Sequence, residues 1–389
     1  MKRKIWILVL GAALIIQGCG PGDKEGPQVV TEEIDGVTYI HNPAEPLHPE
    51  KTVRFEKELA IRGEDDEGNV VLYRPGYFLV DDQGNMYISE MQDMVYKVFD
   101  PEGNLVRTIG GQGGGPGEFQ SISTSGFSPG GKLLVTDYRA LRTSIFDQDG
   151  DFLKDFKWTR RFSIMLLVKM DSYVTTEFVM EEGAESSKLF VTELDFDGNV
   201  IRSYGEFTMR QLQTLRMGEV TMGIGIPHSP SSIFAGDSER GWLYHCLNST
   251  YRIEVYDAEG RLFRVIDRPY TPLPFTAEDR REYISQFDDN PNPAFKKMVR
   301  NTDFPEVKTV TENMKVDAAG NLWVVTQETR EEDGTTLTAV DVFDQEGCYD
   351  TRVWLEKTPR FFKNGKMYNY ETDDESGYRS LVRYNVVWE

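Results

Sequence analysis

Residues 95–110 read Val-Tyr-Lys-Val-Phe-Asp-Pro-Glu-Gly-Asn-Leu-Val-Arg-Thr-Ile-Gly, and the five at their centre, Phe99-Asp100-Pro101-Glu102-Gly103, decide the fold because they return. The same pattern stands at Phe146-Asp147-Gln148-Asp149-Gly150, at Leu194-Asp195-Phe196-Asp197-Gly198, at Tyr256-Asp257-Ala258-Glu259-Gly260 and at Phe343-Asp344-Gln345-Glu346-Gly347. Asp hydrogen-bonds the backbone just ahead of it and Gly accepts a positive φ, so each copy is a tight turn. Apolar residues flank the first copy at Val95, Val98, Leu105 and Val106, which makes it a hairpin.

A second motif precedes each hairpin. Gly84-Asn85-Met86-Tyr87-Ile88 matches Gly131-Lys132-Leu133-Leu134-Val135 and Gly320-Asn321-Leu322-Trp323-Val324. Gly241-Trp242-Leu243-Tyr244 and Gly365-Lys366-Met367-Tyr368 match too, and Met170-Asp171-Ser172-Tyr173-Val174 is a degraded copy. Six units of about four short strands predict an all-β, six-bladed propeller. The sixth unit, Phe361 to Trp388, lacks an outer strand, and Val53 to Ile61 is a strand without a blade. Joining the two closes the ring and removes exposed edges.

These residues resemble the NHL-repeat family of six-bladed propellers, most closely from Asp81 to Phe156. There Ile109-Gly110-Gly111-Gln112-Gly113-Gly114-Gly115-Pro116-Gly117-Glu118-Phe119 is similar to the family's connection between blades. The resemblance implies ligands as varied as peptides, proteins and RNA, and for a few members lyase or lactonase activity, so the fold alone names no function. A phosphate-loop reading of the same glycines fails, because no Gly-Lys-Ser/Thr and no helix pattern follows.

The amino terminus carries an address. Lys2-Arg3-Lys4 precedes twelve uncharged residues, Ile5 to Ile16, the length of a signal-peptide core rather than a bilayer span. Ile16-Gln17-Gly18-Cys19 resembles a lipobox, with Gln17 in place of the usual small residue. The expectations are a signal peptide over 1–18, a flexible tether over 19–51 and the propeller over 52–389. Acylated Cys19 would then hold a monomer to a membrane of the cell envelope. With the lipobox, the chain is similar to bacterial six-bladed propeller lipoproteins, most without an assigned activity.

The net charge of −21 becomes more negative once the three basic residues of the leader are removed. Such a surface repels phosphate backbones and excludes nucleic acid as a partner. Three cysteines are too few for a disulfide framework; Cys246 and Cys348 fall in different blades and are expected to be buried free thiols. Four histidines make a histidine-rich metal centre improbable, and His245 is expected to be a satisfied imidazole. No Gly-x-Ser-x-Gly elbow is present.

Candidate function rests on two departures from the repeat. Between blades three and four lies an insertion, Gly205 to Pro230, with His228. Between blades four and five lies Tyr270 to Val307, with a helical stretch at about 272–305. Thr276-Ala277-Glu278-Asp279 resembles a capping box, and Tyr283, Ile284 and Phe287 share a helical face. Both insertions connect an outer strand to the next inner strand and fall on one face of the disc, as a lid or wall carrying His228, Tyr270, Tyr283 and Phe287. Six residues into the second motif stand Glu90, Asp137, Glu177 and Glu371. Carboxylates around a pore could hold calcium or an ammonium group; the family resemblance implies instead that such an acid caps backbone amides of its own or the next blade, and Arg139, Arg142, Arg160 and Arg161 could neutralise them. No other cofactor is expected. The leading expectation is a non-catalytic binding propeller for a peptide, glycan or partner protein. The alternative is a cation-dependent hydrolase or lyase at the channel mouth.

Overall fold

A computed structural model describes residues 28–64, 71–160, 162–179, 188–217, 220–373 and 377–389. The signal segment and Cys19 lie outside the described residues.

The chain forms a six-bladed β-propeller. Blade one pairs strands Pro75–Val80, Met86–Glu90, Val95–Phe99 and Leu105–Gly110, and blade two pairs Thr124–Phe127, Leu133–Asp137, Arg142–Phe146 and Phe152–Lys157. Blade three runs from Phe162–Val168 to Val200–Phe207, blade four from Ser232–Asp237 to Leu262–Asp267, and blade five from Thr311–Val316 to Tyr349–Leu355. Blade six takes three strands from the carboxyl terminus, Phe361–Lys363, Lys366–Thr372 and Arg379–Trp388. Its fourth is Val53–Ile61, antiparallel to the last, with Lys57 opposite Tyr384 and Phe55 opposite Val386. The chain ends therefore share one sheet, as the missing outer strand requires.

One backbone device builds the outer turn of the first five blades. The Asp100 carboxylate accepts the amides of Glu102 and Asn104 at 3.1 and 2.7 Å, and Gly103 sits at φ +91°. Asp147, Asp195, Asp257 and Asp344 accept the amides two and four residues ahead in the same way. The strand register slips by one residue at each of these turns, as at Val98/Phe99 and Ile145/Phe146. This is a type I turn closed by a left-handed glycine bulge, which adds twist to the outer hairpin.

The core is divided into wedges between blades. Successive residues of a strand point to opposite faces. In blade two Leu133 and Val135 pack toward blade one, while Leu134 packs toward blade three. In blade five Leu322 and Val324 face blade four, while Trp323 and Val325 face blade six. The closing seam is packed like the others: Ile61, Tyr368 and Leu381 of blade six meet Phe78, Met86 and Ile88 of blade one. The glycine run at 110–117 is a connection between blades. Phe119, fully buried, donates its backbone N–H to the Gly111 carbonyl at 2.7 Å, and Arg142 donates to the Gly115 carbonyl at 2.9 Å.

The segment expected to be a tether is partly built into the domain. Val30–Ile34 and Val37–His41 form a hairpin with a two-residue Asp35-Gly36 turn, both residues at positive φ (53° and 80°). Its second strand pairs in parallel with Leu262–Asp267, so blade four becomes a six-stranded sheet. The chain then crosses blade five. Asn42 accepts the Tyr349 amide at 2.7 Å, Leu47 and His48 donate to the carbonyls of Tyr349 and Asp350, and Lys51 pairs with Asp350 at 2.7 Å. Residues 30–51 form a strap across the rim from blade four to blade six; they are not a free linker.

Candidate functional site: the connection face

Each second strand climbs from the turns of the repeat toward the opposite face, where the connections between blades lie. Glu90, Asp137, Glu177 and Glu371 all stand at or near that end. They do not form one centre, because each is engaged by its own neighbours. Glu90, fully buried, accepts the amides of Tyr73 and Arg74, both at 2.8 Å, and of Gln92 at 3.2 Å. Asp137, also fully buried, accepts the amides of Gln120, Ser121, Arg139 and Ala140 and the Ser121 hydroxyl. Glu177 pairs with Arg160 at 3.2 Å and accepts the Thr192 hydroxyl at 3.4 Å. Glu371 pairs with Lys57 and Lys357 at 2.8 and 2.5 Å and accepts the Tyr384 hydroxyl; these partners hold its pKa at about 2 against the cost of burial.

Of the two roles open to these acids, the contacts are those of capping and charge pairing. The first two carboxylates replace water around orphan amides of the incoming connection, and the other two are neutralised by cations. Among the described residues no group of three or more His, Cys, Asp or Glu is arranged to hold a metal ion. In blade four Asn248 takes over the capping role from one position further on, accepting the Ser231 amide at 2.8 Å.

The two insertions fold against each other. Within the first, Leu212–Met217 and Val220–Gly225 make a hairpin. The second holds helices Ala277–Ser285 and Pro293–Arg300. Thr276 and Asp279 complete the capping box reciprocally, and Asn292 caps the second helix ahead of Pro293. Phe295, Met298 and Val299 are buried with Ile224, and Leu215, Met222, Tyr283, Ile284 and Phe287 pack around them. Tyr283 donates to the Gly225 carbonyl at 2.8 Å, and Phe287 meets Phe295 edge-on at 5.9 Å.

His228 joins the same two segments. Its Nδ1 accepts the Thr309 amide at 3.2 Å and its ring lies 5.5 Å from Phe275. Burial lowers its pKa, which favours the neutral acceptor this bond requires. His228 also holds a positive φ of 53°, a conformation unusual outside glycine. Three of the four residues assigned to a lid thus hold a cap together. Tyr270 lies apart, packed on Tyr251 at 5.7 Å and on Arg268 at 5.4 Å, its buried hydroxyl without a hydrogen-bond partner among the described residues.

Three cavities among the described residues are lined by no residue of either insertion; the smallest, about 140 Å³, lies at the turns of blades one and two beside Asp82 and Gly130. The central channel, about 390 Å³, is lined by inner strands of all six blades, among them Phe127, Leu166, Phe234 and Phe361. Asp237 to Arg240 and Asp317 to Ala318 place it toward the turn face. On the connection face, between blades five and six, a groove of about 850 Å³ is lined by Lys315, Thr358 to Arg360 and Asn369 to Thr372. Sequence reasoning missed this groove.

Cys246 is buried and Cys348 half-buried. Both are free, and burial raises each thiol to about 11, far from nucleophilic use at neutral pH. His245 is satisfied by Glu254 and Ser232, at 3.1 and 3.0 Å, between Phe207 and Phe234. No described helix is long and apolar enough to cross a membrane.

The fold and this face define a class of protein, the six-bladed propeller with an elaborated connection face. The chain is similar in structure to a Bacteroides fragilis protein named as a candidate for export, with 12% identity over 90% of this chain and 99% of that one and a TM-score of 0.52. It is likewise similar to a DUF4221 family member from Bacteroides vulgatus, with 12% identity, 87% and 98% coverage and a TM-score of 0.54. A more distant likeness is virginiamycin B lyase of Staphylococcus aureus, with 11% identity, 86% and 99% coverage and a TM-score of 0.41. No family model matches the sequence. No curated protein matches it either.

Proposed function

We propose that this chain is a binding propeller of the cell envelope, held by acylated Cys19, whose connection face recognises a peptide, a glycan or a partner protein. One observation carries the reading: the two faces of the disc are built differently. The turn face is a ring of short hairpins whose backbone groups are satisfied within each turn, whereas the connection face bears a two-part cap with its own apolar core and an open groove. Rigid scaffolds place recognition on such loops. The candidate export of the Bacteroides fragilis relative agrees with an envelope location. The hydrolase or lyase alternative draws no support from the four carboxylates, since each already has partners.

Two measurements test this reading. Metabolic labelling with a palmitate analogue is expected to mark the wild-type chain in the membrane fraction and to be lost in Cys19→Ala. A soluble, unlabelled wild-type chain refutes the anchor. An array of glycans and peptides probed with the purified full chain is expected to give hits that weaken when the groove residue Asn369 is changed to Trp. Hits indifferent to that bulk, or substrate turnover in place of retention, refute the assignment.

A further inference from the structure

The first insertion grips the second through a histidine. Its two legs are bonded into a single body. Ile226 donates its amide to the Gln211 carbonyl at 2.8 Å, the Ser229 hydroxyl accepts the Gln211 amide at 3.1 Å, and Arg210 donates to the Ile226 carbonyl at 3.2 Å. Pro227 and Pro230 stiffen the second leg by fixing their own backbone angles. From this body the His228 side chain crosses to the return leg of the helical insertion. There Nδ1 meets both the amide and the hydroxyl of Thr309, at 3.2 and 3.1 Å. Thr309 is buried, and the next residue, Val310, donates its amide to the Asn248 carbonyl of blade four at 2.6 Å, which fixes this leg to the disc.

A backbone N–H can only donate, so Nδ1 is the bare, accepting nitrogen of a neutral imidazole. A proton on Nδ1 sets two donors against each other. The Thr309 hydroxyl can rotate to accept from the new N–H. The amide cannot reverse its role, and a buried amide without an acceptor is costly. Burial is the largest influence on the ring and opposes its charged form. Lys308 of the second insertion and Arg210 of the first oppose it too. Asp279 favours it, but Lys308 already holds that carboxylate at 2.6 Å. Burial pushes the Asp279 carboxyl up, yet Lys308 and Thr276 hold it at about 2, so it keeps its charge where a histidine titrates.

We propose that the cap carries an acid-sensitive latch: protonation of His228 at Nδ1 breaks its bond with the Thr309 amide and frees the first insertion from the stem of the second. The Tyr283 bond to the Gly225 carbonyl and the apolar cluster around Phe295 and Met298 persist, since neither gains a charge between pH 7 and pH 5. Acid therefore loosens the cap without dismantling it. Below the ordinary histidine value of 6.5 the opened form takes up a proton that the latched form resists. The latch weakens as pH falls through that value and levels off beneath the lowered one; above pH 7 both forms are neutral and it holds fully. The arrangement of the connection face is thereby tied to the acidity of the medium. The latch rests on contacts within the cap and stands whether or not that face takes a ligand.

Hydrogen exchange of the detergent-solubilised full chain, read by mass spectrometry and corrected for intrinsic rates, tests it. Peptides spanning residues 224–229 and 304–310 are expected to lose about tenfold in protection between pH 7 and pH 5. Those of the outer turn of blade two, residues 146–151, should hold theirs. His228→Asn is the decisive variant, because asparagine presents a carbonyl oxygen where Nδ1 stood, tolerates a positive φ and does not titrate. It should keep its pH 7 protection at pH 5. Unchanged wild-type protection at pH 5 overturns the latch, as does an acid response that survives in His228→Asn. A loss shared by blade two marks general unfolding and overturns it as well. If the variant is unprotected at both pH values, isotopic nitrogen labelling of the wild-type histidines decides. An exchange midpoint that coincides with protonation of His228 upholds the latch, and one displaced by about a pH unit or more overturns it.

Discussion

The turn face and the connection face of this disc are made of the same strands but hold their backbones in different ways. On the turn face one device recurs: a single Asp satisfies two amides ahead of it and a glycine closes the bulge, with every partner inside five residues. On the connection face the amides of three incoming loops are satisfied from a distance, by Glu90, Asp137 and Asn248 reaching back 16 or 17 residues, while Glu177 and Glu371 at the corresponding positions pair with cations. Local satisfaction makes a face repeat. Distant satisfaction lets it vary, because each connection needs only one acceptor and is otherwise free to lengthen into a hairpin, a helix pair or a groove.

The comparison predicts that damage on the connection side costs more than damage on the turn side. The largest effect is expected at Asp341, fully buried in blade five, which binds Arg268 at the root of the helical insertion, Arg352, and the hydroxyls of Tyr251 and Tyr349. Asp341→Asn leaves Arg268 without its charge partner and Arg352 with Glu328 alone, and should lower stability by about 3–5 kcal/mol in urea unfolding. A loss below 1 kcal/mol would mean that this network is not what secures the insertion. A turn-face change should cost less: Asp195→Ala removes the acceptor of two exposed amides and is expected to cost ~1 kcal/mol. If Asp195→Ala proves as damaging as Asp341→Asn, the contrast between the faces fails.

The next effect concerns acid. Glu371 titrates at about 2 in the folded chain against an ordinary 4.5, because Lys57, Lys357 and Tyr384 favour its charged form. A depressed carboxylate stabilises above its unfolded pKa, and that contribution disappears as pH falls from about 4.5 toward 2. Glu371→Gln should therefore cost stability at neutral pH and converge with wild type near pH 2, as read from melting temperatures. Parallel curves would remove Glu371 from the closure of blade six.

The smallest effect is at the strap. Asp267, and then Glu32, raise the pKa of His41, opposed by burial. A raised histidine stabilises most below its unfolded value near 6.5, and the benefit is lost as pH climbs through the higher folded value. Hydrogen exchange of Val37 to His41 should be more protected at pH 6 than at pH 8, after correction for intrinsic rates, and His41→Gln should erase the difference.

The sequence made the turns and the closure legible because their signals are short-range: an Asp and a Gly at fixed spacing, and a strand left over at each end. The strap was legible too, and was passed over. Asp35-Gly36 between Val-Thr-Glu-Glu-Ile and Val-Thr-Tyr-Ile-His is a strong two-residue hairpin signal, but the glycines and prolines just before it pull the segment toward a linker reading. The four acids could be located but their role could not, since a carboxylate that caps amides and one that binds a cation occupy the same position. What separates them is the arrival of amides from a loop 16 or 17 residues earlier. The groove left no local signal at all. Its lining comes from two blades and the connection between them, a juxtaposition that only the folded chain makes.

Under the proposed acylation of Cys19, the strap would also set how the disc hangs from a bilayer. With Cys19 as the fixed point, eleven residues lead to Val30, the outermost strand of blade four. Fully extended, they reach no further than about 40 Å. Such a leash would join the circumference of the wheel, away from its axle, at a blade two places removed from the one where the ring is sealed. A wheel suspended by its rim can turn either flat side outward, so a ligand need not pass between the disc and the lipid to reach the groove.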